Sequence, residues 1–214
     1  MPIDYRPQDE YSKFDYIVEI ELEEFRRYTL GLDESIRKNK AETKKWVDEE
    51  IWIDKDEHMP TMAIEVLTHV NVFTPNLFYK STLTALYSFF ESTFRELVIT
   101  EREKRNVKLK LDDLKGNGII LYKDFLEKVL GVDLNSLKDV WTEIDNTRKI
   151  RNSIVHNDNV NPDSDKTKQV IKICKNNDQL EYAGEVNILS GKYLIHFADN
   201  IYEYLKGTIK ILRQ

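Results

Sequence analysis

Residues 75–105 read PNLFYKSTLTALYSFFESTFRELVITEREKR, and in them Tyr79, Leu83, Leu86, Tyr87, Phe90, Phe94, Leu97 and Val98 recur at steps of three and four. That period gathers all of them on one side of an α-helix, whereas in a strand they would scatter over both faces. A long helix with one apolar side must lie against other elements, so the chain is expected to build a helical core around it. Glu91 stands one turn after Tyr87 and one turn before Phe94. Its carboxylate borders the apolar face, a position where partial desolvation is expected.

Working outward, Leu194, Phe197, Ala198, Ile201, Leu205, Ile209 and Leu212 make a second stripe of the same period, with Ser190 placed to cap it. Between the two stripes, residues 119–130 read as a short helix closed by Gly131 in a left-handed C-cap. Asp133 or Asn135 can then cap a helix from about Leu134 to Val155. Residues 169–174 and 180–189 read as two short strands about a turn at 175–178, a small β-hairpin before the last helix.

Upstream, residues 12–57 read as one or two helices. Ile17, Ile20, Leu22, Phe25 and Tyr28 form one apolar series, Ile36, Trp46, Val47 and Ile51 another, and Gly31 marks a break between them. Residues 62–73 form a shorter apolar segment closed by Thr74-Pro75, where the proline suits the first turn of a new helix. Within it, His69 lies between Val66 and Val70 and is expected as a packed side chain. The run Asp54-Lys55-Asp56-Glu57-His58 is too crowded in sequence for a good metal site and reads as a solvated helix end.

Composition agrees with an all-α, mainly helical class. Of the 214 residues, 41% are hydrophobic and 33% charged, with only 7 Gly and 5 Pro, a balance that favours helix over turn-rich sheet. The length fits one domain, 1–214. The net charge of -6 argues against a protein that coats nucleic acid through a general basic field. The basic clusters at 37–45, 102–110 and 148–151 are local and interrupted or flanked by acids. Cys174 is the only cysteine, which excludes an internal disulfide framework and a cysteine-rich metal site and suits a reducing, cytoplasmic setting. The first residues carry no apolar signal core, and no apolar run reaches the ~20 residues of a membrane span.

Chemistry concentrates at Thr147-Arg148-Lys149-Ile150-Arg151-Asn152-Ser153-Ile154-Val155-His156-Asn157-Asp158. The series Leu137, Val140, Trp141, Ile144, Thr147, Arg151, Ile154 and Val155 gives Arg151 a place that the period assigns to an apolar residue. A guanidinium there must meet a carboxylate, a partner chain or an anion, because an unpaired buried charge costs several kcal/mol. His156 follows five residues later, roughly 140° round the helix and about 7.5 Å along it, so a straight helix does not bring the two together. They converge if the helix frays before Asn157 or if the site is completed across two chains. Asn152 and His156 share a face, and Arg148 joins them one turn earlier. An imidazole can take a proton from one oxygen and return it to another, and a guanidinium can hold the charge of a five-coordinate phosphorus. Arginine with histidine could therefore cleave RNA, which brings its own 2′-hydroxyl nucleophile, without a metal or other cofactor. A purely structural reading stays open, with Arg151 paired to Glu91, Arg148 paired to Asp145, and His156 capping the helix.

The stretch Arg151-Asn152-Ser153-Ile154-Val155-His156 resembles the signature of the HEPN superfamily (higher eukaryotes and prokaryotes nucleotide-binding), an Arg, a polar residue and then a His. Leu86-Tyr87-Ser88-Phe89-Phe90-Glu91 resembles the family's second core helix, which often carries an acidic residue facing the motif. The resemblance implies a HEPN-like helical bundle over 75–214, preceded by an N-terminal helical extension over 1–74. It also implies a metal-independent endoribonuclease in which Arg151 binds the scissile phosphate, His156 is the general acid/base and Asn152 orients them. Glu91 and Arg148 are supporting residues. Family members commonly form homodimers with the motifs facing a shared cleft, which would answer the angular mismatch. RNA is the expected substrate, a toxin–antitoxin or antiviral defence role the expected context, and a neutralising protein a candidate partner. In one toxin branch a tyrosine stands two places after the histidine. This chain has Asp158 there, so modification at that position is not expected. The alternative is a non-catalytic HEPN-like module that binds nucleotide, RNA or a protein.

Overall fold

The computed structural model describes residues 9–51, 59–156 and 163–214. Its helices are α1 (Ser12–Trp46), α2 (Met59–Thr68), α3 (Thr74–Lys104), α4 (Gly118–Asp124), α5 (Lys138–His156), α6 (Asp165–Lys175) and α7 (Lys192–Leu212). A two-stranded hairpin, β1 (Leu180–Tyr182) and β2 (Val186–Ile188), precedes α7. The mainly helical class expected from composition is the class observed. No described helix is long and apolar enough to cross a membrane. The run 54–58, Asn157 and Asp158 lie outside the described residues.

The chain forms two compact units, and α1, α3, α5 and α7 each contribute a length to both. The first unit comprises 1–24, 85–148 and 197–214. Its core is aromatic. Phe94 meets the rings of Tyr122, Trp141 and Tyr204 at centroid distances of 6.0, 6.3 and 5.5 Å, and Tyr87 stacks on Phe197 at 6.5 Å. Such pairs add directional attraction to the burial of large apolar area. Charges tie the start of α1 to the end of α7. Arg213 meets Asp9 at 3.1 Å and Asp15 at 2.7 Å, and Lys206 meets Asp15 at 2.9 Å and Glu19 at 2.8 Å. The Arg213 guanidinium holds the Asp9 carboxyl down to about 2. Deeper in, Tyr11 donates its hydroxyl hydrogen to buried Glu101, which also pairs with Arg105. Burial is the first cause of the raised pKa of Tyr11, and the Glu101 contact the second.

The second unit comprises 25–84 and 149–196. Asn76, buried on α3, clamps the hairpin: its Nδ2 donates to Asn187 Oδ1 at 2.5 Å, and its Oδ1 accepts from the Ile188 N–H at 3.1 Å. The amide thus serves β2 as a short extra strand would, satisfying backbone that is otherwise buried.

Both long stripes hold. Every apolar position named above for α3 and for α7 is buried. Gly131 takes the expected left-handed conformation at φ 68°. Neither Asp133 nor Asn135 caps α5: a 3-10 turn at Asn135–Leu137 precedes it, with Leu134 at the cap position, and Asp133 Oδ1 accepts from the Asn135 N–H at 2.9 Å in the turn before that.

Other expectations are corrected. Gly31 does not break α1, which runs through it with open space where a side chain would be. On that helix Ile20 and Tyr28 are exposed, and Phe14, Val18, Leu22, Thr29 and Ile36 are buried. Thr74-Pro75 does not start a separate helix. A π-helical turn at His69–Phe73 joins α2 to α3, and the Thr74 N–H bonds back to the His69 carbonyl. A wide turn just before a proline accommodates its ring and its missing N–H without ending the helix. His69 is exposed rather than packed in a core, with its ring 5.2 Å from that of Phe73. Residues 169–174 are helix, not strand. Ser164 caps α6 by accepting from the Thr167 N–H, and Thr167, Val170 and Cys174 face inward at helical spacing. The hairpin lies wholly within 180–188, pairing Leu180 with Ile188 and Tyr182 with Val186 about Gly184 at φ 81°.

Candidate functional site

The motif residues all lie on the last turns of α5. Its buried column is Ile144, Thr147, Ile150 and Ser153. From Ile144 onward the column steps by three, not by three and four in turn, so it rotates away from Arg151. Arg151 is therefore at the edge of the packed face, half-buried, not at its centre as the sequence period suggests. Val155, placed on the stripe by the period, is 44% exposed.

Arg151 and Asn152 are brought together. The Arg151 Nη1 donates to Asn152 Oδ1 at 3.1 Å, while its Nε is out of contact with solvent. Burial of one edge and a neighbouring amide on another leave the guanidinium few orientations, which is what an anion-binding arginine needs. His156 ends α5 with its side chain exposed. Its imidazole is open to a ligand or to another chain.

Arg148 is committed nearby. Its Nε lies 2.7 Å from Asp145 Oδ1, the local pair that the structural reading anticipates. A partly exposed pair at this spacing is worth only a few tenths of a kcal/mol, so a phosphate could compete for the arginine.

Glu91 belongs to the first unit and is half-buried. Its Oε1 would lie 2.8 Å from a Cβ placed on Gly118, which holds φ 61° at the start of α4. Residue 118 is thus glycine for two reasons, conformation and room for the Glu91 carboxylate. The charge of Glu91, after burial, also raises the pKa of Tyr122. A packing task accounts for this acid within its own unit.

One arrangement in the second unit carries no motif. Asp33 on α1 accepts from the Tyr79 hydroxyl at 2.6 Å and from the Gly191 N–H at 3.1 Å, at the start of α7. Burial and then Asp33 push up the pKa of Tyr79. Asp33, not Ser190, serves the α7 N-terminus, since the Ser190 hydroxyl is turned to Gln179. Arg37, Lys40 and Leu30 line an open cavity of about 590 Å3 beside Asp33 and Tyr79. The only sequence signal was the helical spacing of Asp33, Arg37 and Lys40, which a solvated face shares.

Comparison with protein-family models, with curated proteins and with solved structures gives no match. The functional reading therefore stands on the residues themselves and on the motif they spell.

Proposed function

We propose that this chain is a metal-independent endoribonuclease of HEPN type, with Arg151, Asn152 and His156 as its catalytic group. The observation that carries the reading is the half-buried Arg151, hydrogen-bonded to Asn152 and followed after little more than one turn by the exposed His156. In the reaction, the 2′-oxygen of one nucleotide attacks the adjacent phosphorus as its proton passes to an imidazole. The P–O5′ bond breaks, and the leaving 5′-oxygen receives a proton, leaving a 2′,3′-cyclic phosphate and a 5′-hydroxyl. Arg151 holds the non-bridging oxygens, on which negative charge grows, and Asn152 fixes the guanidinium. His156 carries the protons. Its angular separation from Arg151 favours a homodimer, in which one chain supplies the arginine and its partner the histidine. A toxin or antiviral defence setting, with a neutralising protein partner, fits such an activity.

The test incubates the purified chain with RNA in excess chelator, beside Arg151→Ala and His156→Ala. Cleavage is expected to persist in chelator and to fall by about 100-fold or more in each variant. A metal requirement, or activity surviving both substitutions, overturns the nuclease reading.

A second reading, a non-catalytic HEPN-like module for nucleotide, RNA or protein, is favoured by the local engagement of Arg148 with Asp145. It predicts RNA retained by the wild type without cleavage and released in Arg151→Ala.

A further inference from the structure

Helix α6 has two unlike sides. Thr167, Val170 and Cys174 are buried, and opposite them Lys168, Lys172 and Lys175 are exposed. Steps of four and three keep these lysines within about 60° of one another and spread them over about 10 Å of the axis. Among the described residues none of the three meets an acid. Elsewhere the chain answers its helical lysines one turn away, Lys38 with Glu42, Lys45 with Glu49, Lys123 with Glu127 and Lys128 with Asp124. On α6 the residue four places after Lys168 is a second lysine. Like charges at that spacing work against a helix. The helix dipole favours Lys172 and Lys175 in the last turn, but it disfavours Lys168 near the positive end. Four lysines against one aspartate on this helix, in a chain of net charge -6, are therefore not explained by the stability of the helix itself.

We infer that this lysine face holds the phosphate backbone of RNA that extends beyond the reacting nucleotides. RNA as the ligand is taken over from the nuclease reading, on which the inference rests; the surface is new, since the 151–156 motif lies on α5. Placement supports it. Helix α6 belongs to the same compact unit as Arg151, Asn152 and His156. Asp165 follows His156 by nine residues, so covalent reach alone keeps the start of α6 within about 30 Å of the motif. A phosphate backbone carries its charges in a row, and lysine ammonium groups meet it as point charges without a fixed geometry. Local attraction of this kind gives affinity to an acidic protein whose general field repels RNA. An anionic membrane fits less well, because the apolar side of α6 is already buried and leaves nothing to enter the lipid.

The test is binding of the full chain to a fluorescent single-stranded RNA of about 20 nucleotides, read by anisotropy from about 50 to 300 mM salt. Its 2′-oxygens are methylated, which removes the nucleophile, so binding is read without cleavage. Lys168→Gln with Lys172→Gln and Lys175→Gln should weaken binding at least about tenfold near 100 mM salt and lower the slope of log affinity against log salt by about 2. Glutamine keeps the helix propensity of lysine and the sites are exposed, so an unaltered far-UV circular dichroism spectrum is expected. As a control, Lys38→Gln with Lys44→Gln and Lys45→Gln removes the same charge from exposed sites on α1 in the same unit, and the slope should change by less than about 0.5. A wild type that does not bind, a lysine-face variant with an unchanged slope, or a control that loses as much overturns the inference. So does a wild type that ignores the RNA but sediments with phosphatidylserine vesicles, which would assign the face to lipid. Cleavage of unmodified RNA in chelator by the same proteins judges the nuclease separately. Cleavage by a chain that ignores the methylated RNA overturns the face alone, and salt-sensitive binding through the lysines without cleavage overturns the nuclease alone.

Discussion

The helical run from Met59 through the π turn to Lys104 has two parts with opposite fates. From Tyr79 to Val98 each apolar residue of the stripe is buried, with charges such as Lys80, Arg95 and Glu96 on the other sides. From Met62 to Phe78 the apolar residues are just as large, yet most face outward. Apolar content does not distinguish the parts. What differs is the presence of a polar face: where charges mark one side, the other side has a unique direction in which to pack. Where they do not, the segment packs through the smallest residue that allows close approach, here Ala63, and leaves most of the remainder exposed.

Substitutions can break or sharpen that contrast. Phe94→Ala, which removes a ring meeting four others, should cost about 3–5 kcal/mol in urea unfolding. A loss under about 1 kcal/mol would show that the first unit is looser than its ring contacts imply. Next in size, Asp33→Ala strands the Tyr79 hydroxyl and the Gly191 N–H, and the second unit should lose about 1–3 kcal/mol. Phe73→Ala, at 55% exposure, should cost the monomer less than about 1 kcal/mol at dilute concentration. If it matched Phe94→Ala, the two parts of the run would be equally packed and the contrast would fail.

The smallest effect is electrostatic. Asp9 has a folded pKa of about 2 against an ordinary 3.8, held down chiefly by Arg213. For a depressed carboxyl the stabilisation is complete above the ordinary value and disappears as pH falls through the folded one. Arg213→Gln should therefore lie slightly below the wild type in stability at pH 7, and the gap should close between about pH 4 and 2. An acid titration of the unfolding midpoint reads this directly. A gap that widened in acid would show that Arg213 acts through contacts other than its carboxylates.

Within the fold, α3 and α7 were legible because their periods are long and uninterrupted, and each polar side is charged. Residues 169–174 misled because Val170, Ile171 and Ile173 are β-branched, and their strand preference outweighs helix preference in a short window. The Ser164 cap and the inward face of Thr167, Val170 and Cys174 reverse that choice. Pro75 misled because a proline reads as a helix start, and a π turn is not visible in spacing.

At the candidate site, the Arg-Asn-x3-His spelling and its place at the end of α5 were legible. The supposed burial of Arg151 was not, because a helix face drifts with its neighbours. Steps of three after Ile144 moved the packed column to Ile150 and Ser153. Glu91 was legible as an acid on an apolar border, but Gly118, the residue it lies against, is distant in sequence and carries no signal of its own.

The sequence by itself determined the helical class, the inward faces of the two longest stripes, the left-handed turn at Gly131, and the motif at 151–156. These depend on residues within a few turns of one another, where spacing alone fixes geometry. Only the tertiary structure decided that Arg151 sits at the edge of its helix's packed face, that Asp33 serves a helix start far along the chain, and that residues 62–78 are left uncovered. Each of these depends on which side chains arrive from elsewhere in the chain, and no local period encodes that.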